Sequence, residues 1–130
     1  MSTPAQTVSG AMNPRLESVT PRLPVHDVEA ALTFYCRQLG FRVEWRWGNP
    51  VSHAQVCRDA IAVDLIASPA GRHGPAMAYI HVSGVDAYFT ELKLRNVALG
   101  QLGERPYGMR DFELVDPWGN RLAFGEPRVR

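Results

Sequence analysis

The sequence predicts an α+β fold in which one domain is built from two tandem βαβββ modules. Three observations predict it: two helical stripes of apolar residues, short alternating strands around each stripe, and a single turn-rich stretch between the two halves. The 130 residues are 45% hydrophobic and 21% charged, which is enough apolar material for a packed core. The order strand, helix and three strands therefore occurs twice, although almost no residue identities recur between the halves.

The first half begins with a weakly alternating strand that leads into a helix. Asp27 is predicted to cap this helix, and Gly40 is predicted to follow its end. The apolar stripe of the helix consists of Val28, Ala31, Leu32, Tyr35 and Leu39. The strands are predicted over residues 18–25, 41–47, 51–57 and 60–67. Because Trp45 shares the parity of Phe41 and Val43, we expect it to lie in the core.

The second half repeats this order. The second predicted helix lies on a segment begun by Asp86, and its stripe consists of Val85, Tyr88, Phe89, Leu92 and Asn96. The strands are predicted over residues 77–83, within 98–105, over 110–115 and over 121–125. Alternation assigns Ile80 and Phe124 to the core and places Tyr79, His81 and Ala123 on the opposite face.

The domain boundaries follow from composition. Residues 1–16 lack periodicity and are predicted to form a flexible arm. The domain is predicted over residues 17–126, with modules at 17–67 and 76–126 and a glycine- and proline-rich linker at 68–75.

Charge and apolar patterning exclude several classes of partner. The net charge is +1 and no basic cluster is present, so nucleic acid is an unexpected partner. No apolar run approaches the roughly 20 residues that span a bilayer, and no secretory signal is seen, so we expect a cytoplasmic protein without membrane contact. Cys36 and Cys57 lack the spacing of a disulfide or metal motif and are expected as small apolar residues.

Two signatures resemble a known family. The run FYCRQLGF at residues 34–41, and the run PYGMRDF at 106–112 leading to DPWGN at 116–120, resemble the glyoxalase / bleomycin resistance / extradiol dioxygenase superfamily, also called the vicinal oxygen chelate fold. The segment AYIHVSGVD at 78–86 is most similar to bleomycin resistance proteins. This resemblance implies curved mixed sheets that form a cleft, and dimers that build binding sites between chains.

The resemblance also assigns positions to a metal site. Enzymes of the superfamily hold a divalent ion with side chains from the first and last strands of each half, which here fall at Thr20, Asp64, Tyr79 and Ala123. Only Asp64 is a strong ligand, so we expect no metal and no cofactor. The alternative is a lyase, isomerase or dioxygenase with a displaced site that uses Asp64 and His81, together with His53.

The sequence therefore favours a non-catalytic homodimer that sequesters an aromatic or amphipathic small molecule, with an antibiotic among the candidates. Bleomycin resistance proteins are strongly acidic, whereas this chain is near neutral, so the ligand stays open. No catalytic residue is predicted, and Glu113 is either a base or a partner of an arginine. A regulatory subunit is a third, weaker hypothesis. The predicted ligand-binding residues are Tyr79, His81, Trp47, Asp64, His53, Tyr107, Arg110, Glu113 and Trp118.

Overall fold

The computed structural model describes residues 13–68 and 74–128 and contains two four-stranded mixed sheets, each packed against one helix. The elements of the first module are β1 (Arg22–Val25), α1 (Val28–Thr33), β2 (Arg42–Trp47), β3 (His53–Arg58) and β4 (Ile61–Ala67). Those of the second are β5 (Met77–His81), α2 (Val85–Leu94), β6 (Gly103–Glu104), β7 (Met109–Val115) and β8 (Arg121–Pro127). The predicted α+β class and the two βαβββ modules are confirmed.

The two sheets have the same topology. Their strand orders are β1-β4-β3-β2 and β5-β8-β7-β6. In each sheet the first strand runs parallel to the last, and the other neighbouring pairs are antiparallel. Each module is therefore one strand–helix crossover followed by a meander.

The first helix begins and ends as the sequence predicts. Asp27 caps it by accepting a hydrogen bond from the backbone N–H of Ala30 at 3.1 Å. After α1 the helix continues as a π-helical segment over Phe34–Gln38, and the chain then reverses at Gly40, which has a φ of +80°. The preceding strand is shorter than predicted, because β1 starts at Arg22 rather than Ser18.

The core lies between each sheet and its helix. α1 packs on β3 and β4, and α2 packs on β7 and β8. The predicted alternation in the second sheet is confirmed, since Phe124 is 1% exposed and Ile80 is buried, whereas Tyr79 is 40% exposed. The largest fully buried side chains include Tyr35, Phe112, Phe124, Leu23, Leu39, Leu65, Leu92, Leu114 and Leu122.

Trp45 does not lie in the core, and that prediction is wrong. A β-bulge interrupts β2, because Val43 pairs with Val56 while Trp45 pairs with the adjacent Gln55. The extra residue reverses the parity of the strand, so Trp45 points to the side opposite Val43 and is 38% exposed.

Buried hydrogen bonds join the two modules. The buried hydroxyl of Tyr35 donates to Asp116 at 2.8 Å, and the side-chain amide of Asn120 donates to the carbonyl of Pro24 at 2.9 Å. The hydroxyl of Tyr88 donates to the carbonyl of Leu39 at 2.8 Å. These buried bonds hold the two halves together as one unit.

Parts of the predicted domain division fall outside the described residues. This applies to residues 1–12 of the arm and to 69–73 of the linker, and the boundaries stay predictions. In the described residues, no helix is long and apolar enough to cross a membrane. Cys57 is buried, Cys36 is half-buried, and both are free thiols.

Candidate functional site

Each sheet has one side that carries no helix, which we call its open face. The first open face carries side chains from β1 to β4, and the second carries side chains from β5, β7 and β8 and from the loop before β7. The first comprises Arg22, Trp45, Trp47, His53, Gln55 and Asp64. The second comprises Tyr79, His81, Arg105, Tyr107, Asp111, Glu113, Ala123 and Gly125.

A buried carboxylate lies in the middle of the first open face. Asp64 is 6% exposed and accepts a hydrogen bond from the amide of Gln55 at 2.9 Å. Its other oxygen lies 3.6 Å from the guanidinium of Arg22 and 3.8 Å from Nε2 of His53. This His53 nitrogen is buried and has no hydrogen-bond partner. The Gln55 amide and the Arg22 guanidinium therefore both stabilise the carboxylate.

Two indoles extend this face beyond the carboxylate. The ring of Trp45 meets His53 edge to face, with 5.1 Å between ring centroids. Trp47 is 69% exposed. Together with Arg46 these side chains line an open hollow of about 540 Å³. Such a surface can stack on a flat ligand while the indole N–H groups remain available to donate.

The second open face is organised around Asp111. The hydroxyls of Tyr79 and Tyr107 donate to one of its oxygens at 2.8 and 2.6 Å, and Arg105 donates to the other at 2.6 Å. Burial acts to raise the pKa of Asp111, but these hydrogen bonds outweigh it and lower the pKa. Burial and the bond to Asp111 raise the pKa of Tyr79 to about 12.

Gly125 leaves the space that Tyr79 occupies. A Cβ at this position would lie 2.8 Å from the Cβ of Asp111 and would overlap the ring of Tyr79. The phenol can therefore lie across the sheet to reach Asp111. The ring of His81 follows on the same strand, with its centroid 5.3 Å from that of Tyr79.

The structure brings most of the predicted ligand-binding residues to the two open faces, but not all of them. Arg110 lies on the helix side, where it donates to Asp86 at 2.8 Å. Trp118 packs edge to face on Phe34 at 6.4 Å, across the contact between modules. Glu113 lies on the second open face and is paired with Arg121 at 2.9 Å.

Sequence analysis missed Asp111 and Arg105 as members of the site. Asp111 lies two residues before Glu113 on the same predicted strand, so the two side chains share a face, and this alternation could have placed Asp111 in the site. Nothing in the spacing of Arg105 indicated that its side chain would reach back to Asp111.

The metal positions implied by the resemblance do not fit a divalent ion. In the first sheet Asp64 on β4 pairs with Arg22 on β1, and in the second sheet Ala123 on β8 pairs with Tyr79 on β5. The first-module counterpart of Tyr79 is therefore Arg22, and not the exposed Thr20 that the resemblance implied. The four implied positions then carry one carboxylate, a guanidinium, a neutral phenol and a methyl group, and only the carboxylate is a strong ligand. Within residues 13–68 and 74–128, no group of three His, Cys, Asp or Glu side chains could hold a metal.

A cavity of about 410 Å³ lies where the two modules meet, and we call it the seam cavity. Its walls come from the β3–β4 tip, from the end of β5 and from α2. His81 belongs both to this lining and to the second open face.

A family model described as "Glyoxalase superfamily protein" matches residues 5–129. The chain belongs to the glyoxalase superfamily. The family resemblance seen in the sequence is confirmed. A comparison with curated protein sequences found no match.

Solved structures similar to this glyoxalase-superfamily chain include a bleomycin-binding protein, a bleomycin resistance determinant and a lyase. The bleomycin-binding protein of bleomycin-producing Streptomyces verticillus, complexed with copper(II)-bleomycin, is 25% identical, with a TM-score of 0.75, over 89% of this chain and 100% of that one. The bleomycin resistance determinant encoded on the transposon Tn5 is 18% identical, with a TM-score of 0.77, over 88% and 100%. Lactoylglutathione lyase from Agrobacterium tumefaciens is 20% identical, with a TM-score of 0.69, over 87% and 95%.

Proposed function

We propose that this protein binds and sequesters a planar aromatic or amphipathic small molecule without covalent chemistry. The observation that carries the proposal is the set of exposed rings on the open faces, formed by Trp45, Trp47, Tyr79 and Tyr107. The carboxylates beside these rings are already paired with arginines. The carboxylates are therefore not free to recognise a charged group, and the exposed rings supply the contact area for a ligand, as in a pocket that stacks and orients with few polar contacts.

The binding unit in this proposal is a homodimer. Among the described residues, no hydrogen bond, ion pair or ring contact joins the two open faces of one chain. A two-fold dimer can place the first open face of one copy opposite the second open face of its partner, and symmetry then makes two equal clefts. Such a dimer would also remove exposed indole and phenol surface from water.

The similarity to the Streptomyces verticillus bleomycin-binding protein supports ligand capture and makes bleomycin-like antibiotics the first compounds to examine. The net charge of this chain indicates that electrostatic attraction contributes less to binding than ring stacking does. With a net charge of +1, long-range steering of a cationic drug is weak, and stacking must supply most of the affinity.

Fluorescence titration and sedimentation test the proposal together. Tryptophan emission should be quenched saturably by copper(II)-bleomycin or by the neutral planar probe 1-pyrenemethanol, because Trp45 and Trp47 lie in the cleft. Trp47→Leu should weaken binding, whereas Trp118→Phe, which alters a ring packed between modules, should not. A chain that is monomeric at micromolar concentration would contradict the shared cleft. Saturable binding of neither ligand would contradict the function.

A further inference from the structure

The seam cavity is mainly apolar in chemistry. Seven of its lining side chains are hydrocarbon: Phe41, Ala60, Ile61, Ile80, Val82, Ala87 and Phe124. Its volume of about 410 Å³ lies within the range of small-molecule sites. The cavity can therefore accept an apolar group of substantial size.

The charged groups of the cavity are already satisfied. Arg58 makes two hydrogen bonds to Glu91, at 2.7 and 3.0 Å, and a third to the carbonyl of Leu39 at 3.2 Å. Its guanidinium also lies 5.0 Å from the centre of the Tyr88 ring. Asp59 lies 3.8 Å from Arg58 with a side chain that is almost fully in solvent. An occupant consequently gains little by carrying a charge of its own.

The seam cavity and the second open face share one residue, His81. β5 is an edge strand, so a ligand can pass around it from one side of the sheet to the other. His81 marks the point of passage: its ring lies against Tyr79 on the open face, and the same residue lines the cavity. The stacking surface and the apolar cavity therefore meet at one side chain.

We propose that the ligand carries an aliphatic arm, and that this arm occupies the seam cavity while the ring system of the ligand stacks on Tyr79. The inference rests on the proposed function and specifies its ligand class: an uncharged or weakly charged flat ring system bearing a hydrocarbon chain. His81 lies at the junction of the two parts.

Two pyrene alcohols test this inference. 1-Pyrenemethanol and 4-(1-pyrenyl)butanol present the same rings, and the second adds three methylene groups. Each methylene that leaves water tightens binding about fourfold, so the longer probe should bind at least about tenfold more tightly to the wild-type protein. Quenching of tryptophan emission gives Kd for both probes.

Variants on α2 separate the cavity from general lipophilicity. Ala87 is exposed and lines the cavity, so Ala87→Phe fills it without disturbing the core. This variant should bind the short probe as the wild type does and lose the gain from the longer chain. Thr90→Phe is the matched control, because Thr90 is exposed on the same helix outside the lining and adds the same ring. Ile61→Trp blocks the cavity from the opposite wall and should repeat the loss.

The outcomes distinguish the two proposals. If the short probe binds but the longer chain adds nothing, or if Ala87→Phe and Ile61→Trp keep the gain, the seam cavity does not hold an arm and the inference is overturned while ring capture stands. If neither probe binds the wild-type protein, the proposed function and the inference fall together.

Discussion

His53 on the first sheet and Asp111 on the second occupy equivalent places but are held in opposite ways. His53 pairs with Ile66, two residues beyond Asp64, and Asp111 pairs with Gly125, two residues beyond Ala123. The imidazole Nε2 of His53 has no hydrogen-bond partner, whereas Asp111 accepts from two phenols and a guanidinium. The second open face is consequently preorganised, and the first keeps rings that a ligand can rearrange.

Core truncations should have the largest effect and should be of similar size in both modules. Phe124 is 1% exposed and stacks on Phe112 with 5.4 Å between centroids, and Leu65 is its first-module counterpart. Phe124→Ala should lower the free energy of unfolding by about 3–5 kcal/mol and Leu65→Ala by about 2–5 kcal/mol, as measured by urea denaturation. Tyr79→Ala should cost clearly less. A protein that unfolds on Tyr79→Ala but tolerates Ile80→Ala would overturn the assigned faces.

The two buried carboxylates should differ in the cost of their removal. Asp111→Asn weakens three hydrogen bonds and should cost about 1–3 kcal/mol of unfolding free energy. Asp64→Asn should cost less, because Asp64 has one short hydrogen bond and only longer contacts to Arg22 and His53. Denaturation of both variants at pH 7 tests the order, and equal costs would contradict the contrast between the faces.

The contribution of Asp111 should disappear in acid. Burial opposes ionisation of this group, but its hydrogen bonds lower its pKa below the ordinary value of an aspartate. A depressed pKa in the folded state stabilises the protein above the unfolded-state pKa near 4, and this stabilisation is lost as the pH falls through the folded pKa. The difference in Tm between the wild type and Asp111→Asn should therefore shrink from pH 6 towards pH 3. A Tm difference that grows as the pH falls would mean that the pKa of Asp111 is raised in the folded protein, contrary to this prediction.

The sequence predicted those features that depend on local periodicity. Helix stripes located both helices, and alternation assigned Ile80 and Tyr79 to opposite faces. The β-bulge in β2 was not predicted, because the alternation of apolar and polar residues continues across Val43 and Trp45. A single inserted residue is visible only in the pairing of β2 with β3.

The candidate site was less accessible to sequence reasoning than the fold. The cluster around Asp111 needs Arg105 and Tyr79, which come from different parts of the module and meet only in the folded sheet. Arg110 alternates with Asp111 and Glu113 along β7, and because adjacent strand residues face opposite ways, it lies on the helix side. The seam cavity exists only once the modules pack, so no local pattern could indicate it.

Ring removal should weaken binding on both faces. Tyr79→Ala and Trp47→Ala should each reduce the binding free energy of 1-pyrenemethanol by about 1–3 kcal/mol, the range for an aromatic hot spot. Tyr79→Phe keeps the ring and loses only the bond to Asp111, so its loss should be smaller. Comparing these variants by fluorescence titration shows whether the preorganised phenol of Tyr79 or the exposed indole of Trp47 contributes more. Unchanged binding in both alanine variants would show that the open faces do not bind the probe.

The smallest expected effect is that of a chelator, which should leave Tm unchanged. A metal that binds only the native state would stabilise it by about 4 kcal/mol at a thousandfold excess over Kd, so its removal would be easily seen. The residues at the implied metal positions argue against such an ion: the Arg22 cation lies 3.6 Å from the Asp64 carboxylate, and Tyr79 on the second open face, with a pKa raised to about 12, is a neutral phenol at pH 7. Protein purified without chelator should show the same Tm before and after EDTA, and added Zn²⁺, Mn²⁺ or Ni²⁺ should not raise it. A fall in Tm of several degrees on EDTA, reversed by one of these ions, would contradict this prediction. It would indicate that His53 or His81 completes a metal site in the dimer, and the two open faces would then be the two halves of an enzyme centre.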